Sequence, residues 1–229
     1  DCNGFVIERD KTRLAGGDNQ TDRGGFEHYM LKEIYEQPDR LRDTLTFTEL
    51  DDALFGDAAA EVFDQVQAIQ IIACGTSYHA GLVARHWLEG FAGVPCQVEV
   101  ASEFRYRRSV SLPGTLVVTI SQSGETADTL AALKYAKNHG QIILSIINTI
   151  ESSMERESDF VLHTHAGPEV SVPSTKSFTC QLAVLACLVI SYSRLCGKID
   201  DNKEKRLCNA LLEVPGAMVN VLNHDDKIK

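Results

Sequence analysis

Three stretches of this 229-residue chain leave little freedom in how it can fold: "AIQIIAC" at 68–74, "TLVVTIS" at 115–121 and "QIILSIIN" at 141–148. A strand with one wet face alternates apolar and polar side chains, because successive residues point to opposite sides of a sheet. These runs are apolar at consecutive positions, so both faces must be covered, as in parallel strands lying between layers of helices. Two weaker runs, "CQVEVAS" at 96–102 and "FVLHTHA" at 160–166, bring the strands to five. The segments between them read as helices at 77–93, 125–139 and, briefly, 152–158. Strand and helix in alternation predict an α/β fold, a three-layer αβα sandwich around a five-stranded parallel sheet.

Helical segments flank this unit. "FEHYMLKEIYEQPDRLRDTL" places Phe26, Met30, Ile34, Leu41 and Leu45 at helical spacing, with Pro38 expected to interrupt the helix. A second, acidic helix is expected over 51–63, and two final helices over 174–196 and 201–224. The charged run "DDNKEKR" at 200–206 reads as a solvated helix start. "AGGDNQTDRGG" near the N-terminus has a linker composition, and the chain does not begin with Met, so it is read as a piece of a larger protein. The expected division is a linker over 1–25, a helical lead-in over 26–66 and the sandwich domain over 67–229.

Charge narrows the partners. Lys plus Arg number 22 against 32 Asp plus Glu, a net charge of −10 with no basic stripe, which argues against nucleic acid. A single phosphate on a small molecule remains open, since local amides and hydroxyls can hold one whatever the net charge. The seven cysteines (2, 74, 96, 180, 187, 196 and 208) form no CxxC pair and no metal-ligand spacing, so reduced thiols in a cytoplasmic protein are expected, with no metal. The most apolar run, "LAVLACLVI" at 182–190, is too short to span a bilayer about 30 Å thick, and no membrane association is expected.

In open parallel sheets, ligands bind beyond the carboxyl ends of the strands. Three loops there stand out: Cys74, Gly75, Thr76 and Ser77 after the first strand; Ser121, Gln122, Ser123, Gly124, Glu125 and Thr126 after the third; and "EVSVPSTK" at 169–176 before a helix. Glycine permits a sharp turn, and hydroxyls lie beside the N–H groups that a helix start leaves unpaired, so each loop can cradle an anion. Taken singly, each reads first as a well-capped turn, because Ser and Thr are preferred caps. Three at one sheet edge favour a phosphate site. Neither GxxxxGK[ST] nor GxGxxG is present, which speaks against nucleotide and dinucleotide cofactors; no cofactor is expected.

Other groups carry weaker signals. Cys74 is a possible nucleophile, but ending a buried strand favours a structural thiol. His163 and His165 share a strand face; without further ligands beside them, packing is preferred to metal binding. Glu125 reads either as a general base or as an acidic residue placed to suit a helix dipole. Arg105, Arg107 and Arg108 form the basic cluster of the chain, and the sequence does not decide between an interface and an anionic partner.

The segments "HYMLKEIYEQP", "CGTSYHAG", "ASEFRYR", "SQSGETADTL" and "VPSTKSFTCQ", in this order, resemble the first sugar-isomerase (SIS) domain of the glutamine–fructose-6-phosphate aminotransferases over roughly 26–229. The resemblance implies an SIS fold that binds fructose 6-phosphate or glucosamine 6-phosphate. It implies that Ser121, Gln122, Ser123 and Thr126 hold the phosphate. Thr76 and Ser77 then line the sugar, Cys74 and Gly75 shape their turn, and Val172 and Ser174 contact the sugar through backbone and hydroxyl. Pro173 departs from the small residue usual in that family. The resemblance further implies a homodimer whose glutaminase domain and second SIS domain lie outside this segment, together with the catalytic residues; none is expected here, nor turnover by the segment alone. The competing expectation is a non-catalytic SIS module that senses a sugar phosphate.

Overall fold

A computed structural model describes residues 22–48, 62–110 and 112–225. Helix α1 spans Tyr29–Phe47, followed by strand β1 (Ala68–Ala73), helix α2 (Gly75–Trp87) ending in a π-turn (Leu88–Ala92), β2 (Cys96–Val100) and α3 (Ala101–Tyr106). Then come β3 (Thr115–Ser121), α4 (Ala127–Asn138), β4 (Ile142–Ile147), α5 (Ser153–Glu157), β5 (Phe160–His163), α6 (Lys176–Leu195) and α7 (Asp201–Leu222). The five strands form one all-parallel sheet in the order β2-β1-β3-β4-β5.

The apolar runs divide cleanly between the two faces. Ile69, Ile71, Leu116, Val118, Ile120, Leu144 and Ile146 face one way, against Ala80 and Ala84 of α2 and Val184, Leu185 and Leu188 of α6. Ile72, Val117, Ile143 and Ile147 face the other, against Ala101 and Phe104 of α3, Ala132, Leu133 and Ala136 of α4, and Met154 of α5. Polar interruptions inside the strands are paired: the Thr119 and Ser145 hydroxyls lie 2.5 Å apart, and Ser145 is 2.6 Å from Ser158. Leu41 and Leu45 of α1 pack with Ala183 and Cys187 on the outer side of α6, with Leu211 and Met218 of α7 beside them. The sandwich thus carries an additional helical layer made from both flanking segments.

Three expectations need correction. Pro38 lies inside α1 without ending it. A helical proline leaves the carbonyl four residues earlier without its donor; here the Gln37 side-chain amide donates to that carbonyl, Ile34 O, at 3.0 Å. Second, "AS" after β2 opens the short helix α3 rather than extending the strand. Third, the apolar run at 182–190 sits in a 20-residue helix, α6, long and apolar enough by composition to cross a membrane. In this fold α6 is a core helix, with fourteen of its residues buried between the sheet and the outer layer. The expected linker over 1–25 lies outside the described residues up to 21, and the acidic helix up to residue 61.

Candidate functional site

β1 leads through α2 to β2 on one side, and β3 leads through α4 to β4 on the other, so the strand order reverses between β1 and β3. The carboxyl ends of such a pair diverge into a crevice. Ala73 is in register with Ile120, which brings the next residues, Cys74 and Ser121, side by side at the carboxyl edge of the sheet, Ser121 as the last residue of β3. The Thr129 hydroxyl of α4 contacts Cys74 Sγ at 3.9 Å, tying the first two loops together.

The loop after β3 holds its own shape through its hydroxyls. Ser121, buried at the strand end, accepts from Gly124 N at 3.1 Å and lies 2.9 Å from Thr126 Oγ1. Ser123 accepts from Glu125 N at 3.1 Å. Gly124 has φ +65°, and a Cβ there would stand 2.2 Å from Ser152 Oγ, so the turn has room only for glycine. Its carbonyl accepts from Met154 N at 3.1 Å, and Gln122 O accepts from Asn148 N at 3.2 Å, locking the loop to the residues after β4. All three hydroxyls are therefore engaged within the loop, and Thr126, the cap residue of α4, makes no side-chain cap bond to the helix that follows.

The loop after β1 has the same character. Cys74 is the half-buried cap residue of α2 and makes no side-chain cap bond; Gly75 has φ +57°, Thr76 is exposed and Ser77 is buried. The third loop differs. The cap residue of α6, Thr175, also makes no side-chain cap bond, but the Glu169 carboxylate already fills this helix start. It accepts from Thr175 N at 2.7 Å, Ser177 N at 3.3 Å and Ser174 Oγ at 3.1 Å. Val172 is fully exposed. All three loops leave the same edge of the sheet, but among the described residues no hydrogen bond joins Val172 or Ser174 to the other two.

The weaker candidates resolve into structural roles. Glu125 accepts from Ser153 N at 2.6 Å, at the start of α5, and that bond holds its carboxyl below the usual carboxylate range. A carboxylate so stabilised is a poor proton acceptor, which disfavours the general-base reading. Among the described residues, no three His, Cys, Asp or Glu side chains are grouped to hold a metal; His163 lies 3.4 Å from Glu155. The strand expected over 160–166 ends at His163, so His165, with φ 49°, does not share a strand face with it. The six cysteines among the described residues are free thiols, and burial pushes Cys180 up to about 11 and Cys96 and Cys187 up to about 12. Arg107 forms a two-pronged pair with Glu99 at 2.5 Å, and Arg105 pairs with Asp128, in the first turn of α4, at 2.9 Å. The basic cluster is largely neutralised by its neighbours. An apolar cavity of about 450 Å³ between α1, α2, α6 and α7, lined by Leu41, Trp87, Phe91 and Met218 among others, contains none of the loop residues.

The SIS domain model matches residues 63–191, which include all five strands and both loops at the crevice. This chain belongs to the SIS-domain family. Two curated relatives of this SIS chain are the glutamine–fructose-6-phosphate aminotransferases of Pseudomonas syringae pv. tomato, 48% identical over 99% of the chain, and Pseudomonas putida, 47% identical over all of it. The chain spans 38% of the length of each. Among solved structures, it superposes on the C-terminal domain of the Francisella tularensis glucosamine-fructose-6-phosphate aminotransferase with a TM-score of 0.84 and 42% identity, over 89% of this chain and 58% of that one. α1 and α7 lie outside the SIS match and flank it.

Sequence reasoning missed the carboxylates that organise the third loop. Glu169 was readable as an acidic residue shortly before a helix start. Glu33 and Glu36 were not, because they reach that loop from α1, more than 130 residues away.

Proposed function

We propose that this SIS domain binds a hexose 6-phosphate, fructose 6-phosphate or glucosamine 6-phosphate, as the sugar-holding part of a glutamine–fructose-6-phosphate aminotransferase. The observation that carries the reading is the start of α4. Its first-turn amides have no side-chain cap, and Ser121, Ser123 and Thr126 gather beside them around the tight turn at Gly124. Helix-start amides and hydroxyls together match a phosphate. Of the two other helix starts at this edge, α6 is occupied by Glu169, whereas α2 is open beside Thr76 and Ser77. Phosphate therefore belongs at α4, with Gln122 at its rim, and the sugar extends toward α2. Cys74 and Gly75 shape that turn, and Val172 and Ser174 meet the sugar from the third loop.

In the whole enzyme this segment, with its sandwich over 67–229, its lead-in over 26–66 and a linker over 1–25, grips the substrate. Ammonia release and the proton transfers belong to a glutaminase domain and a second SIS domain. The similarity to the aminotransferases supports that division and the homodimer; the free thiols support a cytoplasmic location.

Ser123 gives the clean test, because it is half-buried and its hydroxyl holds only one loop amide. Calorimetric titration of fructose 6-phosphate into the 229-residue chain should show saturable binding, weakened roughly 10- to 100-fold by Ser123→Ala, the effect of losing one hydrogen bond to a charged group. Equal affinity in the two proteins would remove the phosphate from this loop.

A further inference from the structure

The loop over 164–175 has no regular secondary structure, yet it carries Val172 and Ser174. Ordering such a segment costs backbone entropy that its own hydrogen bonds must offset. Here most of the ordering comes from outside. Glu33, on α1 and 2% exposed, turns its carboxylate onto the loop: Oε1 accepts from Val170 N at 2.6 Å and Ser171 N at 3.2 Å, while Oε2 accepts from the Ser171 hydroxyl. One turn further along α1, Glu36 pairs with Lys176 at 2.6 Å, just past the other end of the loop. Thr44, another two turns on, donates to Thr164 O. One helix thus grips the loop at its start, its middle and its end, and the two backbone amides fixed by Glu33 immediately precede Val172.

We infer that Glu33 is a positioning residue for sugar recognition: the lead-in helix sets the third loop so that Val172 and Ser174 meet the sugar, while the phosphate is held by the loop after β3, which Glu33 does not touch. This rests on the reading that the chain binds a hexose 6-phosphate. It also gives the "HYMLKEIYEQP" segment, outside the SIS match, a part in binding. Asn148 supports both loops, its N–H donating to Gln122 O and its side chain bonding Thr164, Ala166 and Gly167. The Glu33 carboxylate, however, bonds only Val170 and Ser171 of the third loop, so loosening that loop there should affect sugar and phosphate differently. A buried carboxylate accepting three hydrogen bonds holds its partners in one geometry, and that preorganisation is what binding would otherwise have to supply.

The experiment compares fructose 6-phosphate and inorganic phosphate on the 229-residue chain, titrating both into wild type, Glu33→Gln, Glu33→Ala and Ser171→Ala, with Tm recorded for each. Glu33→Gln keeps an acceptor for the amides; Ser171→Ala removes only one hydroxyl and leaves α1 intact. The expected result is a graded loss for fructose 6-phosphate, reaching about tenfold in Glu33→Ala, with phosphate affinity unchanged. Amide exchange at Val170 and Ser171 should quicken in the same order. Parallel losses for both ligands, or an unchanged ratio across the series, would overturn the positioning role while leaving hexose phosphate binding intact. If wild type binds neither ligand, the functional reading itself falls, and this inference with it.

Discussion

Gly124→Ala is expected to destabilise the chain by about 3 kcal/mol and to abolish hexose phosphate binding, because two separate costs add at this position. Alanine at φ +65° meets its own backbone, at roughly 1–2 kcal/mol. The new methyl would also lie 2.2 Å from Ser152 Oγ and 2.4 Å from Ser152 Cβ. Ser152 cannot move aside cheaply: it is 3% exposed, and its hydroxyl accepts from Glu155 N at 3.3 Å to cap α5. Overpacking of this kind adds about 1–3 kcal/mol. For a chain of this size, the sum corresponds to a fall in Tm of roughly 10 °C. Gly140→Ala is the control, since Gly140 has φ +75° with nothing within 4 Å of its Cβ position. It should show the backbone cost alone and leave binding intact. Similar losses in both variants would mean that close approach at Ser152 does not shape the site.

The second large effect concerns the ion pair beneath the third loop. Lys176 is 4% exposed, with its ammonium 2.6 Å from Glu36, which also lies 3.5 Å from Lys32. Glu36→Ala leaves a buried ammonium without its counter-charge, at about 3 kcal/mol. The low end of the usual range applies because Glu36 keeps some contact with water. Replacing both partners, as Glu36→Leu with Lys176→Met, should recover much of the loss, since no charge is then stranded. The pair also has a pH signature. Burial pushes the Glu36 carboxyl up, but the hydrogen bond and charge of Lys176, with help from Lys32, outweigh it and hold the group below its ordinary value. A carboxyl depressed in the folded state contributes stability above its unfolded pKa of about 4.3 and loses it as pH falls through the folded one. The stability gap between wild type and Glu36→Ala, followed by urea unfolding, should hold constant from pH 7 to about 5 and narrow below about 4. A gap that widens on acidification would assign the pair the wrong sign.

The parts of this fold that the sequence revealed are those written in local pattern. Continuous apolar runs located the three central strands, because burial on both faces removes the polar alternation; weaker runs located the two edge strands, and hydroxyl-rich punctuation after β1 and β3 located the crevice. What stayed hidden depends on distant partners. Nothing near Pro38 signals that Gln37 will satisfy Ile34 O, so a helix break was the reasonable reading. Glu33 and Glu36 look like ordinary acidic residues of an amphipathic helix until α1 is laid on the third loop. The three helix starts also looked equivalent in sequence. Only the fold separates them, by placing the Glu169 carboxylate on α6 and leaving α2 and α4 without side-chain caps.

That difference supplies the most direct test. Amide resonances of the 229-residue chain, followed while fructose 6-phosphate is added, should shift most at Gly124, Glu125, Thr126 and Ala127, and next at 75–77. The N–H groups of Thr175 and Ser177 should respond weakly, because Glu169 already holds them. Saturable shifts centred on Thr175 and Ser177 instead, or on the residues around the apolar cavity, would contradict the placement of the phosphate at the start of α4.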